Sequence, residues 1–175
     1  MTTNEKIAAL RAAAKAAGAD GVMLVTSDPH SSEYLPEHYA SLNWFSGFTG
    51  ENSTLVVTGE GSALWSDGRF YIQADRQLAG SEIESMHAGA AGVPTVEQYL
   101  KDHLKAGQTM LTDGGCMPAA LFERYGAALA EAGAKLVSRD VVSPLWADAR
   151  PALPDTPCFL LSREQTGANT DEKLA

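Results

Sequence analysis

Cysteine is scarce in this chain: Cys116 and Cys158 are its only two in 175 residues. They lie far apart, and neither has a Cys or His neighbour at zinc-ligand spacing, so a cysteine zinc site is not expected and both read as buried free thiols. Long hydrophobic runs are missing too. No stretch approaches the ~18 consecutive apolar residues of a membrane span. The opening Met1-Thr2-Thr3-Asn4-Glu5-Lys6 lacks the basic start and apolar run of a secretory signal, and the expected location is cytoplasmic. Positive charge is in the minority, with 13 Lys and Arg against 22 Asp and Glu and a net charge of -9. Such a surface repels phosphate backbones and anionic lipid, which argues against nucleic-acid and membrane partners. Signature motifs of catalysis are absent as well. There is no nucleophile elbow with Ser, His and Asp, no Gly-x-Gly-x-x-Gly opening a helix and no His-Glu-x-x-His. A self-contained active site is therefore not expected.

What is present suits an ordinary globular domain: 45% hydrophobic and 20% charged residues, with three Trp, five Tyr and five Phe to fill a core. Ile7, Leu10, Ala14 and Ala17 recur at helical spacing, with Asn4 as the expected N-cap and Gly18 as the stop. Gly21 to Thr26 is a short apolar run of the kind found in a strand covered on both faces. A polar, Pro- and His-containing stretch follows to Tyr39, and Leu42 to Thr49 is read as further loop. Ser53–Thr58 and Ser62–Ser66 flank Gly59-Glu60-Gly61 and predict a hairpin. Helical faces recur over Arg69–Leu78, from Thr95 to near Gly107, and over Pro118–Ala132. Short strands are expected at Ile83–His87, Met110–Thr112 and Lys135–Ser138. The order is that of an α/β domain over 1–150, a Pro-rich linker over 151–157, and the start of a second domain, cut short, over 158–175. In that last part Cys158–Leu161 reads as an opening strand and Asn169–Ala175 as a helix start.

Three clusters could carry chemistry. Asp28-Pro29-His30-Ser31-Ser32-Glu33-Tyr34 gathers two carboxylates and an imidazole, but at no standard metal spacing, and Asx-turn and capping roles account for Asp28 and Ser31. Trp44-Phe45-Ser46-Gly47-Phe48-Thr49-Gly50 lacks the Gly-Lys-Ser/Thr ending of a phosphate loop and reads as an aromatic turn on the core. Asp67-Gly68-Arg69 makes a tight turn that fixes Arg69 at its exit, where a guanidinium can clamp a carboxylate or pair with an internal acid. His38, His87 and His103 stand singly and read as surface or satisfied core residues. Cys116 precedes a helix without a cationic neighbour, which makes a reactive thiolate a poor expectation.

Taken in order, Ser27–Tyr34, Phe45–Gly50 and Ala63–Ala74 resemble the first domain of long, three-domain Xaa-Pro aminopeptidases. Pro94-Thr95, Asp113, Leu145-Trp146 and Arg150–Pro154 fit its second half. Two turns depart from the family pattern: Glu51-Asn52-Ser53 after the Gly-Phe-Thr-Gly turn, and Ala149 between Asp148 and Arg150. The resemblance implies a ribonuclease H-like mixed sheet with flanking helices, the creatinase/prolidase N-terminal domain. It also implies a second similar domain and a catalytic domain holding two divalent ions, manganese by family habit. None of those metal ligands lies in this chain, so no catalytic residue is assigned. The matching positions are expected to shape a substrate-cleft wall and the packing of domains or subunits, with His30, Tyr34 and Arg69 as candidates and Trp44 and Phe48 behind them. Implied partners are the chain's own C-terminal domains, a peptide with proline second and, for the full-length protein, a second copy. An isolated fragment of this kind is expected to expose an apolar patch. The competing reading is a free-standing module that binds a peptide or small ligand, with Arg69 as its clamp. An independent hydrolase using Asp28, His30 and Glu33 is the weakest, since nothing supplies a nucleophile or oxyanion site.

Overall fold

The first helix shows how local chemistry sets an element boundary. In the computed structural model, which describes residues 1–175, α1 spans Thr3–Ala16 and is capped by Thr2. The Thr2 hydroxyl accepts from the Glu5 amide at 3.3 Å while Glu5 accepts from the Thr2 amide at 2.7 Å. The expected cap, Asn4, cannot form this reciprocal pair because Ile7 stands three residues on. Asn4 instead accepts from the Glu82 amide at 2.9 Å, tying the helix to the chain entering β4.

Strands β1 (Gly21–Val25), β2 (Thr54–Thr58) and β3 (Ser62–Ser66) are buried along their whole length. With β4 (Ile83–His87), β5 (Thr109–Thr112) and β6 (Lys135–Ser138) they form one six-stranded sheet in the order β4-β3-β2-β1-β5-β6. Only β2 runs against its neighbours. It pairs antiparallel with β1 (Met23 opposite Val56) and with β3 (Val56 opposite Ala63), whereas β3–β4, β1–β5 and β5–β6 are parallel. The architecture is the expected mixed sheet with flanking helices and an internal hairpin.

Period-two alternation divides the core between the two faces. Val22, Leu24, Leu55, Val57 and Leu64 join Ile7, Leu10 and Phe45 on the face covered by α1, α2 (Ser41–Ser46) and α3 (Tyr71–Leu78). Met23, Val25, Val56, Trp65 and Met110 pack with Tyr99, Leu100, Tyr125 and Leu129 of α4 (Val96–His103) and α5 (Ala119–Glu131). Thr95 caps α4 through the Gln98 amide as expected, but the helix stops at His103 rather than near Gly107.

Two further readings need correction. The segment expected as loop at Leu42–Thr49 contains α2. Its single helical turn and a half buries Leu42 and Phe45 at three-residue spacing and ends on Gly47 in the left-handed region (φ 76). One turn is too short for periodicity to register. Cys158–Leu161 forms no strand, and Phe159 (76% exposed) and Leu160 (98% exposed) stand in solvent. A strand needs an edge to pair with, and these residues pair with neither open edge of the sheet, β4 or β6. After α6 (Ser143–Trp146) come a 3-10 turn at Ala147–Ala149 and two short helices, α7 (Arg163–Thr166) and α8 (Thr170–Leu174), the latter capped by Asn169. No helix is long and apolar enough to cross a membrane.

Candidate functional site

Because five of the six strands point the same way, their carboxyl ends share one edge of the sheet, which is where open α/β sheets gather their functional loops. The loop after β1, the turn before β2, the turn after β3 and the start of α5 surround an open depression of about 600 Å3 there, lined by Ser31, Tyr34, Asn43, Glu51 and Arg69 among others.

Asp28 organises the first of these loops. It is 3% exposed, and its Oδ1 accepts the His30 amide at 2.9 Å and the Ser32 amide at 3.0 Å, folding the chain back so that Ser31 takes a positive φ of 52°. Oδ2 is buried without a partner. Burial by itself would raise the Asp28 carboxyl. The Ser32 amide, with help from His30, outweighs it and holds the group below its ordinary range. The outcome is a loop with Tyr34 81% exposed at its crest.

Across the depression, Arg69 leaves the turn after β3. Its amide donates to Asp67 Oδ1 at 2.9 Å, and its guanidinium forms a fork on the same carboxylate, Nε to Oδ1 at 3.1 Å and Nη2 to Oδ2 at 2.8 Å. The pairing lowers the Asp67 carboxyl and raises Arg69. The guanidinium also lies 5.1 Å from the Phe70 ring centre. Arg69 is thus fixed, as the turn implied, but half of its fork is already occupied by its own turn.

The five candidates part company here. Tyr34 and Arg69 line the depression. His30 is exposed on the same loop but outside the lining. Phe48 is fully buried, edge-on to Phe70 at 6.2 Å between ring centres. Trp44 turns away to stack on Trp146 at 5.7 Å, with the Lys6 ammonium 4.1 Å from its ring. Asn43, Glu51 and Asn52, none of them named as a site candidate from the sequence, complete the wall. No local pattern marks them; only their convergence does.

Asn52 also borders a second depression of about 390 Å3 on the other side of Asp67, near Trp65, Thr95 and Tyr125, where Arg124 is paired to Glu97 at 2.6 Å. The three single histidines all have partners: Pro151 O for His38, Asp75 for His87 and Tyr99 O for His103. The cysteines differ from expectation, Cys116 being half-buried and Cys158 exposed. Burial and the neighbouring Asp113 push the Cys116 thiol up to about 12, which leaves almost no thiolate at neutral pH. Nowhere do three His, Cys, Asp or Glu side chains come together as a metal-holding group.

Comparison with known proteins places this geometry. Residues 6–144 match the family described as Creatinase/Prolidase N-terminal domain. The chain is 33% identical over 177 residues to the probable Xaa-Pro aminopeptidase P of Neurospora crassa, an alignment that takes in 99% of this chain and 26% of that one. The crystal structure of X-prolyl aminopeptidase from Caenorhabditis elegans, a cytosolic enzyme with a di-nuclear active site, superposes with a TM-score of 0.84 at 31% identity, covering 99% of this chain and 30% of that one. The N-terminal domain of the cytoplasmic peptidase PepQ from Mycobacterium tuberculosis shares the fold at 23% identity, with a TM-score of 0.61. This chain, spanning less than a third of those two aminopeptidases, belongs to the Creatinase/Prolidase N-terminal domain family.

Proposed function

We propose that this chain is the non-catalytic N-terminal domain of a metal-dependent Xaa-Pro aminopeptidase, a cytosolic homodimer that removes the residue preceding proline from peptides. The observation that carries this reading is the alignment of 99% of the chain with only 26% of an aminopeptidase P. The chain's donor set does not suit a di-nuclear centre, since no three potential ligands converge. The two divalent ions, manganese by the family resemblance, would belong to a separate catalytic domain and would activate the water that cleaves the peptide.

Within that division of labour, the carboxyl edge forms a wall of the substrate cleft. Arg69 and Tyr34 supply contacts, His30 lies at the margin, and Phe48 and Trp44 hold the wall from behind. A wall of this kind raises selectivity by binding parts of the substrate remote from the reacting bond. The domain's packed body covers 1–150, residues 151–157 link it onward, and 158–175 begin a second domain. The exposed Phe159-Leu160-Leu161 segment supports this, being apolar surface that further chain would cover.

The test is hydrolysis of a peptide with proline in second position by the purified 175-residue chain with manganese added, beside a full-length relative. No release of the first residue is expected from the chain. Turnover that follows the chain through purification and stops with chelator would overturn the reading.

A further inference from the structure

The end of the packed body is held by a cluster that the site itself does not use. Arg150 Nε donates to the His38 carbonyl at 2.8 Å, and its Nη1 donates to Ser143 Oγ at 2.6 Å. In return His38 Nδ1 donates to the Pro151 carbonyl at 2.7 Å, an oxygen that can only accept. The Arg150 guanidinium lies 5.4 Å from the Trp146 ring centre and 5.9 Å from that of Tyr39. Trp146, 3% exposed, stacks in turn on Trp44 of α2. Two segments 112 residues apart are thereby joined by reciprocal hydrogen bonds and by two aromatic rings beside one guanidinium.

Where this cluster grips decides what it does. His38 and Tyr39 sit in a 3-10 turn, Glu37–Tyr39, with no buried residue of its own. Ser31 to Leu35 lie just before that turn and Ala40 and Asn43 just after it, and all of these line the depression at the carboxyl edge. Apart from the Asp28 contacts at its start, the loop has few anchors of its own: Ser31 is strained at φ 52° and Tyr34 is 81% exposed. A weakly anchored loop takes its conformation from whatever holds its far end.

We propose that Arg150, His38 and the Pro151 carbonyl form a latch through which the segment leaving the domain sets the conformation of the loop wall formed by residues 31–40. The course of the chain beyond Pro151 and the shape of the depression are then coupled: releasing one loosens the other. The latch rests on contacts within this chain and does not depend on the peptidase reading. Arg150 and His38 act through the loop and touch no ligand, so both are positioning residues.

Hydrogen exchange on the intact 175-residue chain tests it, comparing wild type with Arg150→Gln and His38→Ala. In both variants the hydrogen-bonded amides of residues 31–40, those of Ser31 and Ser32 that bond Asp28 and those of Tyr39 and Ala40 that bond Pro36 and Glu37, should exchange about tenfold faster, while those of α4 and α5 on the opposite face keep their wild-type rates. Unchanged exchange at 31–40 in either variant would overturn the latch. So would a rise of equal size in α4 and α5, which would reveal a general loss of stability instead.

Discussion

Two stretches that carry the family resemblance equally well, Ser27–Tyr34 and Phe45–Gly50, do opposite work in the folded chain. The first is a polar loop drawn around one buried carboxylate, with Tyr34 projecting into solvent. The second is core up to Thr49 and Gly50, which reach the depression's rim: Phe45 and Phe48 are fully buried, Gly47 supplies the positive φ that ends α2, and a side chain on Gly50 would collide with the Phe48 ring. A motif can thus persist because a site needs it or because packing does, and a string of residues does not say which.

The comparison can be broken by mutation. Phe48→Ala should cost the most, about 3–5 kcal/mol, because it empties a fully enclosed ring position between Phe70 and the sheet. Urea unfolding of the chain measures it, and a loss below about 1 kcal/mol would show that the aromatic turn is not the core element described.

Asp28→Asn should cost less, about 1–3 kcal/mol at neutral pH. The amide oxygen still accepts from His30 and Ser32, but charge-assisted bonds become neutral ones. The Asp28 carboxyl is held below its ordinary range when folded, so the unfolded chain takes up the proton more readily. Its contribution is therefore present at neutral pH and is lost as pH falls from about 4 through the folded-state value. The gap between wild type and variant should narrow from pH 7 to pH 3. A gap that widens would reverse the assigned direction.

Tyr34→Ala and Arg69→Ala should change stability least: within about 0.5 kcal/mol for the exposed tyrosine, and little for Arg69, whose pair with Asp67 is screened by solvent. Placed in a full-length relative, the same changes should raise KM for a Xaa-Pro peptide. Wild-type kinetics in both would remove the cleft-wall role and leave these residues as ordinary surface.

Much of the fold was legible because it rests on local rules. The full burial of β1 follows from its apolar run, the hairpin from Gly59-Glu60-Gly61 between two strand-like segments, and the α4 start from Thr95 placed three residues before Gln98. Where the reading failed, the deciding contact was remote or the element too short. α2 offers one turn of periodicity, and Cys158–Leu161 has strand composition but pairs with neither open edge of the sheet. The site was legible only in part. Arg69 and Tyr34 were singled out for their chemistry and do line one depression, whereas Trp44 was drawn off by Trp146, a partner 102 positions further along.

By itself, then, the sequence determined most of the longer helices and strands, which faces are apolar and to which family the chain is similar, since these follow from residue type and spacing along the chain. Only the tertiary structure decided which polar groups meet. Reversing β2 between β1 and β3 brings Ser31, Glu51 and Arg69 around one depression, and packing residues 150–151 against His38 of the 3-10 turn brings in Arg150. Such meetings are set by strand order and direction, and no local pattern records them because the partners are far apart until the sheet has formed.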